Sequence, residues 1–424
     1  MNANSPNTPS NPQDPNNPNN QNNGSTGLKD AGGTKDANGS KNAGATKDVS
    51  GPKNANGSKE ANGSKENGSV LQTVLDGASP QEDLFADVLA MTTKTVKDSL
   101  RPLEERLEAF DDIIDSEVGD TYFSRARNIE REIAIRQLFL KFEGGNPSGT
   151  QKDRIAFVQA RDALRRGFDA ITVATCGNYG VAVTLAASFV GLRCLVYIPV
   201  NYHTPRIKEM ESFNAEIIRE GKDYEESVVA SQLRAQKDEI YDANPGGVNT
   251  SIQIHAYGQI AYEIYDELRD APTIVAIPVS NGTTLAGIFK GFLSLYRRGK
   301  TSKMPRIVAG SSSRKNPIVQ SWLKNTPHCE DLSPDDIRET SVNEPLVNWH
   351  AIDGESALQA IRMTNGWATN ASDKKMLAVS KLIREREGLN VLPASTASLV
   401  ALIERHAKEP LTNDRYVVIL TGKK

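Results

Sequence analysis

Residues 143–154 read EGGNPSGTQKDR, and the way this stretch must fold decides the architecture of the chain. Gly, Asn, Pro and Ser set a tight turn, and Lys152 stands just beyond it, at the start of a helix that Asp153 and Arg154 continue. Further on comes 171-ITVATCGNYG-180, an apolar strand that breaks into a polar, glycine-flanked loop and opens a second helix. Free backbone N–H groups at such a helix start favour anions. Together the two stretches put a lysine amine beside a place to hold negative charge. Taken alone, a lysine in this position is far more often a solvated cap of its own helix than a nucleophile. Nucleophilic duty requires relief from solvation, so that the amine loses its proton near neutral pH.

Around these stretches strands alternate with helices from about residue 118 onward. Strands are expected at 171–174, 195–198, 216–218, 274–277, 307–309 and 417–420. Helices such as 181-VAVTLAASFVG-191, 257-YGQIAYEIYDEL-268 and 396-TASLVALIERH-406 lie between them. This alternation predicts an α/β fold of parallel sheets covered by helices, with ligands at the carboxyl ends of strands. Ahead of it, Ser79-Pro80 starts one helix, and 103-LEERLEAFDDII-114 reads as a second, amphipathic one after Pro102. These leading helices cover the core, dimerise it, or tether what precedes them. Residues 1–69 hold almost no apolar side chains, and Lys29, Lys35, Lys41, Lys47, Lys53, Lys59 and Lys65 recur there every six residues. A six-residue β-helix needs an inward aliphatic on every turn; Ala, Asn, Gly and Ser stand there instead, so a flexible repeat is expected.

The 424 residues carry 50 Lys and Arg against 53 Asp and Glu, a net charge of −3 with a pI near 6.1. No basic field points to nucleic acid or a membrane surface. Three cysteines (Cys176, Cys194 and Cys329) give no disulfide framework and fit a reducing compartment. Five scattered histidines and no C-x-x-C pair leave no metal site to expect. With neither a bilayer-length apolar run nor a secretory signal, a soluble cytoplasmic protein is expected.

Two further turns follow strands. In 278-PVSNGTTLAGIFKGF-292, small residues let backbone amides close around a phosphate at a helix start, with the spacing of neither a P-loop nor a dinucleotide fingerprint. In 416-YVVILTGKK-424, Thr421 is either the cap of a core strand or a hydroxyl aimed at a ligand. Cys176 invites a nucleophile reading, but no histidine is near it in sequence, and a small lining residue is the plainer role.

Taken in order, these motifs resemble the pyridoxal-phosphate (PLP) enzymes of the tryptophan-synthase β superfamily, fold type II, and the threonine synthase branch in particular. That family's N-P-[ST]-G-[ST]-x-K-D-R run is matched at Asn146, Pro147, Gly149, Lys152, Asp153 and Arg154. The likeness spans roughly residues 117–424, through 258-GQIAYEI-264, 306-RIVAG-310, 353-DGESALQAI-361 and 385-EREGLNVLPASTAS-398. It implies a two-domain α/β enzyme with twisted, mostly parallel sheets and a smaller lobe at roughly 157–265 inserted in the larger one. A disordered tail at 1–69 and a helical leader at 70–116 would precede it. The cofactor implied is PLP, with Lys152 forming the Schiff base, Asn178 at the ring oxygen, and Ser280, Asn281, Gly282, Thr283 and Thr284 at the phosphate. Thr421 would meet the pyridine nitrogen; a hydroxyl, unlike a carboxylate, leaves that nitrogen unprotonated and suits elimination or replacement better than transamination. Thr175, Cys176, Gly177 and Tyr179 would line the substrate carboxylate site, and Lys141, Arg154 and Arg206 are the candidates for a substrate phosphate.

The leading expectation is a PLP-dependent lyase that turns O-phosphohomoserine into threonine and phosphate, as a homodimer acting on a small amino acid. Two alternatives stay open. One is a serine/threonine dehydratase or a β-replacement (cysteine synthase-like) enzyme, since 204-TPRIKEMESFNAEIIREGKDYEES-227 resembles dehydratases as much as synthases. The other is a non-catalytic relative, against which intact Lys152, Asn178 and Thr421 count.

Overall fold

The computed structural model of the chain describes residues 80–424 apart from Cys176 and Asn413, so the repeat tail and its expected disorder lie outside the described residues. In chain order the strands are β1 (Phe123–Arg125), β2 (Leu138–Phe142), β3 (Ala170–Ala174), β4 (Arg193–Ile198), β5 (Glu216–Arg219), β6 (Tyr241–Asp242), β7 (Ile274–Pro278), β8 (Arg306–Ser312), β9 (Trp367–Ala371) and β10 (Tyr416–Leu420). They form a six-stranded sheet, β1-β2-β10-β7-β8-β9, and a four-stranded sheet, β5-β4-β3-β6. Every pairing is parallel except β1 with β2. This is the mostly parallel α/β architecture that the strand–helix alternation predicts.

Strands β3, β7 and β10 are buried along their whole length, as expected of parallel strands covered on both faces. Four others escape a sequence reading for physical reasons. β1 and β6 are only three and two residues long, Lys141 interrupts the apolar run LFLKF of β2, and WATNA of β9 is half polar.

Chain order explains where a site can form. The helix Lys152–Arg165 follows β2, and the chain then builds the whole four-stranded sheet before it returns to the larger one at β7. Strand β10, the last, slots between β2 and β7, with Tyr416 opposite both Leu138 and Ile274. Three carboxyl ends, those of β2, β10 and β7, therefore lie side by side although they are remote in sequence.

The leading helices are Pro80–Lys97 and Leu103–Glu117. Phe110 of the second stacks on Phe157 with ring centroids 5.9 Å apart, and Asp111 pairs with Arg161. Of the roles open to these helices, covering the helix that begins with Lys152 is the one seen. No described helix is long and apolar enough to cross a membrane.

Candidate active site

The turn after β2 is fastened to the end of β10. Gln151 N donates to Thr421 O at 2.9 Å, and Lys423 N donates to Gly149 O at 2.9 Å, around an antiparallel bridge between Thr150 and Gly422. Gly149 has φ +85°, a left-handed conformation that favours glycine, and the Lys423 side chain lies over it. Ser148 N donates to Asp153 Oδ2 at 2.9 Å, folding the turn onto the first turn of the helix. Burial pushes the Asp153 carboxyl up to about 6.

Lys152 emerges from this turn into a pocket shared with Asn178, Thr421 and residues 278–285. Its Nζ lies 5.6 Å from the centroid of the Tyr179 ring, and no carboxylate among the described residues pairs with it. The side chain opens onto the pocket, yet protein crowds the amine closely enough that burial pushes its pKa down to about 8. Beside it, the Thr421 hydroxyl lies 3.0 Å from Ser395 Oγ, on the short 3-10 turn Pro393–Thr396.

Opposite, the turn after β7 leads into the helix Thr283–Arg297. Gly282 has φ +95°, and a β-carbon on it would stand 2.8 Å from Asp353 O, so the loop can press against its support only as glycine. Ala357 backs the glycine, and the rest of the loop is held by polar groups. Asp353 N donates to Asn281 O at 2.9 Å, Asn316 Nδ2 to Ser280 O at 3.0 Å, and Asn348 Nδ2 to Asn281 Oδ1 at 3.1 Å. Thr283 turns its hydroxyl back onto the Asp353 carboxylate. What the loop offers an anion is therefore chiefly the backbone N–H groups at a helix N-terminus.

The loop after β3 presents its backbone in the same way. Thr175 Oγ1 accepts from Gly177 N at 3.3 Å and Gly180 N at 3.2 Å, and Tyr179 donates its hydroxyl to Ala243 O at 2.6 Å. Neither hydroxyl is turned to the pocket, the Gly177 N–H is taken by Thr175, and Asn178 at the helix start lines the pocket. Cys176 lies outside the described residues.

The three cations expected around a substrate phosphate are not brought to this pocket. Lys141 and Arg154 belong to a buried cluster with Glu143 and Glu263, two positive groups against two negative. Arg154 Nε lies 2.6 Å from Glu143 Oε2 and its Nη1 2.6 Å from Glu263 Oε1, while Lys141 Nζ lies 2.5 Å from Glu263 Oε2. Burial alone would raise the Glu263 carboxyl, but Arg154 and Lys141 outweigh it and hold the group at about 2. Burial would likewise favour loss of the Arg154 proton, and Glu143 and Glu263 overturn that, driving its pKa up. Charges satisfied in this way anchor the lysine turn. Arg206 pairs with Glu209 at 2.6 Å.

Sequence reasoning missed Gln151, Pro345, Leu346, Leu392 and Ser395, which also line the pocket. A signal existed for Ser395 alone, in the proline followed by small and hydroxyl residues of 393-PAST-396.

Known proteins match this arrangement. The model of the family described as pyridoxal-phosphate dependent enzyme covers residues 114–422. The threonine synthase of Methanocaldococcus jannaschii is 26% identical over 305 residues, 72% of this chain and 74% of that protein. Maize serine racemase has a similar structure, with a TM-score of 0.62 at 17% identity over 75% of this chain and 93% of its own. The processed form of threonine deaminase isoform 2 from Solanum lycopersicum gives 0.61 at 16% identity, over 76% of this chain and 90% of its own. At those identities the two structures speak for the fold alone.

Proposed function

The chain belongs to the family of pyridoxal-phosphate dependent enzymes and has their type II fold, and from that premise we propose that Lys152 is its catalytic lysine. The observation that carries this reading is a crowded amine with no carboxylate partner among the described residues, facing two helix-start turns across one pocket. The residues present fit the cofactor. Lys152 would bond its aldehyde carbon, residues 280–284 would hold its phosphate, Asn178 would reach the ring oxygen and Thr421 the pyridine nitrogen. When bound, PLP draws electrons from the substrate α-carbon and lowers the cost of removing its proton.

Lys152 Nζ, neutral in part near neutral pH, takes that proton and returns one along the carbon chain. The helix start at Asn178 holds the substrate carboxylate, which fixes the α-carbon against the lysine. The Tyr179 ring walls the amine from water. We assign the catalytic core to residues 117–424, with the smaller lobe at 157–265.

For the reaction, conversion of O-phosphohomoserine to threonine and phosphate is supported by the threonine synthase likeness, which runs over most of both chains. Dehydration of threonine or serine is the second reading. It is favoured by one observation: Lys141 and Arg154 are neutralised by Glu143 and Glu263, leaving Lys152 as the cation lining the pocket among the described residues. Incubation with O-phosphohomoserine, threonine and O-acetylserine plus sulfide, each with product identification, separates the readings. Threonine and phosphate from the first substrate support the synthase. If 2-oxobutyrate forms from threonine while O-phosphohomoserine is inert, the dehydratase replaces it, and cysteine from the third indicates β-replacement.

A further inference from the structure

Two hydroxyls meet on one wall of the pocket, and burial decides which of them donates. Ser395 Oγ lies 3.0 Å from Thr421 Oγ1, and by distance alone either could supply the proton. Neither hydroxyl has another hydrogen-bond partner among the described residues. Ser395 is fully buried, whereas Thr421 is part-exposed where it lines the pocket. If Thr421 donated, the Ser395 proton would be left buried without an acceptor, the costlier arrangement. With Ser395 donating, the proton left over is that of Thr421, at the pocket wall, where a ligand can accept it. The backbone holds this pair in register. Ser395 N donates to Leu392 O at 3.0 Å, Leu392 N to Gly422 O at 3.0 Å, and Gln151 N to Thr421 O at 2.9 Å. Ser398 Oγ lies 3.1 Å from both Ser395 O and Ile419 O, tying the 3-10 turn to β10.

We propose that Ser395 is a positioning residue for the cofactor: by donating to Thr421 it presets the Thr421 hydroxyl as a donor into the pocket, which suits an unprotonated pyridine nitrogen and not a protonated one. This rests on the reading of Thr421 as the partner of that nitrogen. For Thr421 to accept from a protonated nitrogen, its own proton would have to turn to Ser395 and strand the buried one. Ser395 therefore opposes protonation of the ring, and it acts through Thr421. Lys152, the one titratable side chain lining the pocket among the described residues, is common to every variant compared.

The test is a double-mutant cycle on the protein loaded with PLP isotopically labelled at the ring nitrogen, followed by nitrogen NMR across pH. Ser395→Ala should raise the pH at which that nitrogen takes up a proton by about one unit, and weaken apparent PLP binding by about fivefold. Thr421→Ala should move both readouts in the same direction by at least as much. Adding Ser395→Ala to it should change neither further, because the hydroxyl through which Ser395 acts is gone. Ser395→Cys, similar in shape with a poor donor, serves if the Ala variant does not fold. A nitrogen that titrates in Ser395→Ala as in wild type, or equal shifts from Ser395→Ala in both backgrounds, overturns the proposal. If Thr421→Ala itself leaves the titration where wild type has it, the reading of Thr421 falls and the proposal with it.

Discussion

Lys141 and Lys152 flank the same turn, and the fold treats them in opposite ways. Lys141 is buried against Glu263 at 2.5 Å and donates to Thr121 O at 2.6 Å. Lys152 has the face of the Tyr179 ring and no carboxylate among the described residues. Burying a cation is costly, and there are two ways out: pair it, or let it lose its proton. The first makes Lys141 structure, and the second pushes Lys152 down to about 8 and makes it chemistry. Residue type is shared; the placement of Glu143 and Glu263, and the pocket that Lys152 opens onto, make the difference.

The largest expected effect follows from the unpaired side. Lys152→Ala should lower turnover by about 10³-fold or more, because the group that moves the proton is gone. Its melting temperature should not fall, since an unpaired buried cation is removed. Turnover near wild type, or a melt lower by several degrees, would mean that Lys152 is structural like Lys141. On the paired side, Arg154→Met leaves Glu143 and Glu263 with Lys141 alone and should cost about 3–5 kcal/mol in urea unfolding. A loss under about 1 kcal/mol would show that the cluster does not hold the turn.

Much of this contrast is hidden in the sequence. The run around Lys152 is legible because its turn, helix start and lysine are contiguous, and so are the glycine-bearing loop at 278–284 and the strand end at Thr421. Their meeting is not, because it depends on β10 slotting between β2 and β7. The partners of Lys141 and Arg154 are equally hidden. Glu263 sits 109 positions from Arg154 on another helix, so both cations look available for a substrate phosphate until packing neutralises them.

A smaller effect concerns protons. A lysine whose pKa falls from 10.5 to about 8 binds fewer protons folded than unfolded between those values. Stability should therefore rise as pH climbs from about 8 to 10.5, and fall as pH is lowered through that window. PLP uptake by the cofactor-free protein should rise through the same lower value, about 8, because the neutral amine is the form that bonds an aldehyde. Lys152→Ala should flatten this part of the stability profile. Uptake that rises only near the ordinary lysine pKa would contradict the crowded environment assigned to the amine.

The smallest effect is expected where lysines are most plentiful. Lys29, Lys35, Lys41, Lys47, Lys53, Lys59 and Lys65 stand in a stretch of polar and small residues, with no strand-to-helix turn beside them in sequence to hold a phosphate. Lys152, its pKa pushed down to about 8 by burial, is close to half neutral at pH 8. Borohydride reduction of the PLP-treated protein at that pH, followed by peptide mapping, should therefore find the pyridoxyl group on Lys152, with little on the repeat lysines and none on Lys141. Deleting residues 1–69 should leave labelling, turnover and melting temperature unchanged, because the segment lacks the side chains needed to pack on anything. Label on Lys141 would mean that its pairing with Glu263 is loose enough for the side chain to leave the cluster. A drop of several degrees on deletion would mean that the repeats touch the core through polar contacts, which composition alone does not reveal.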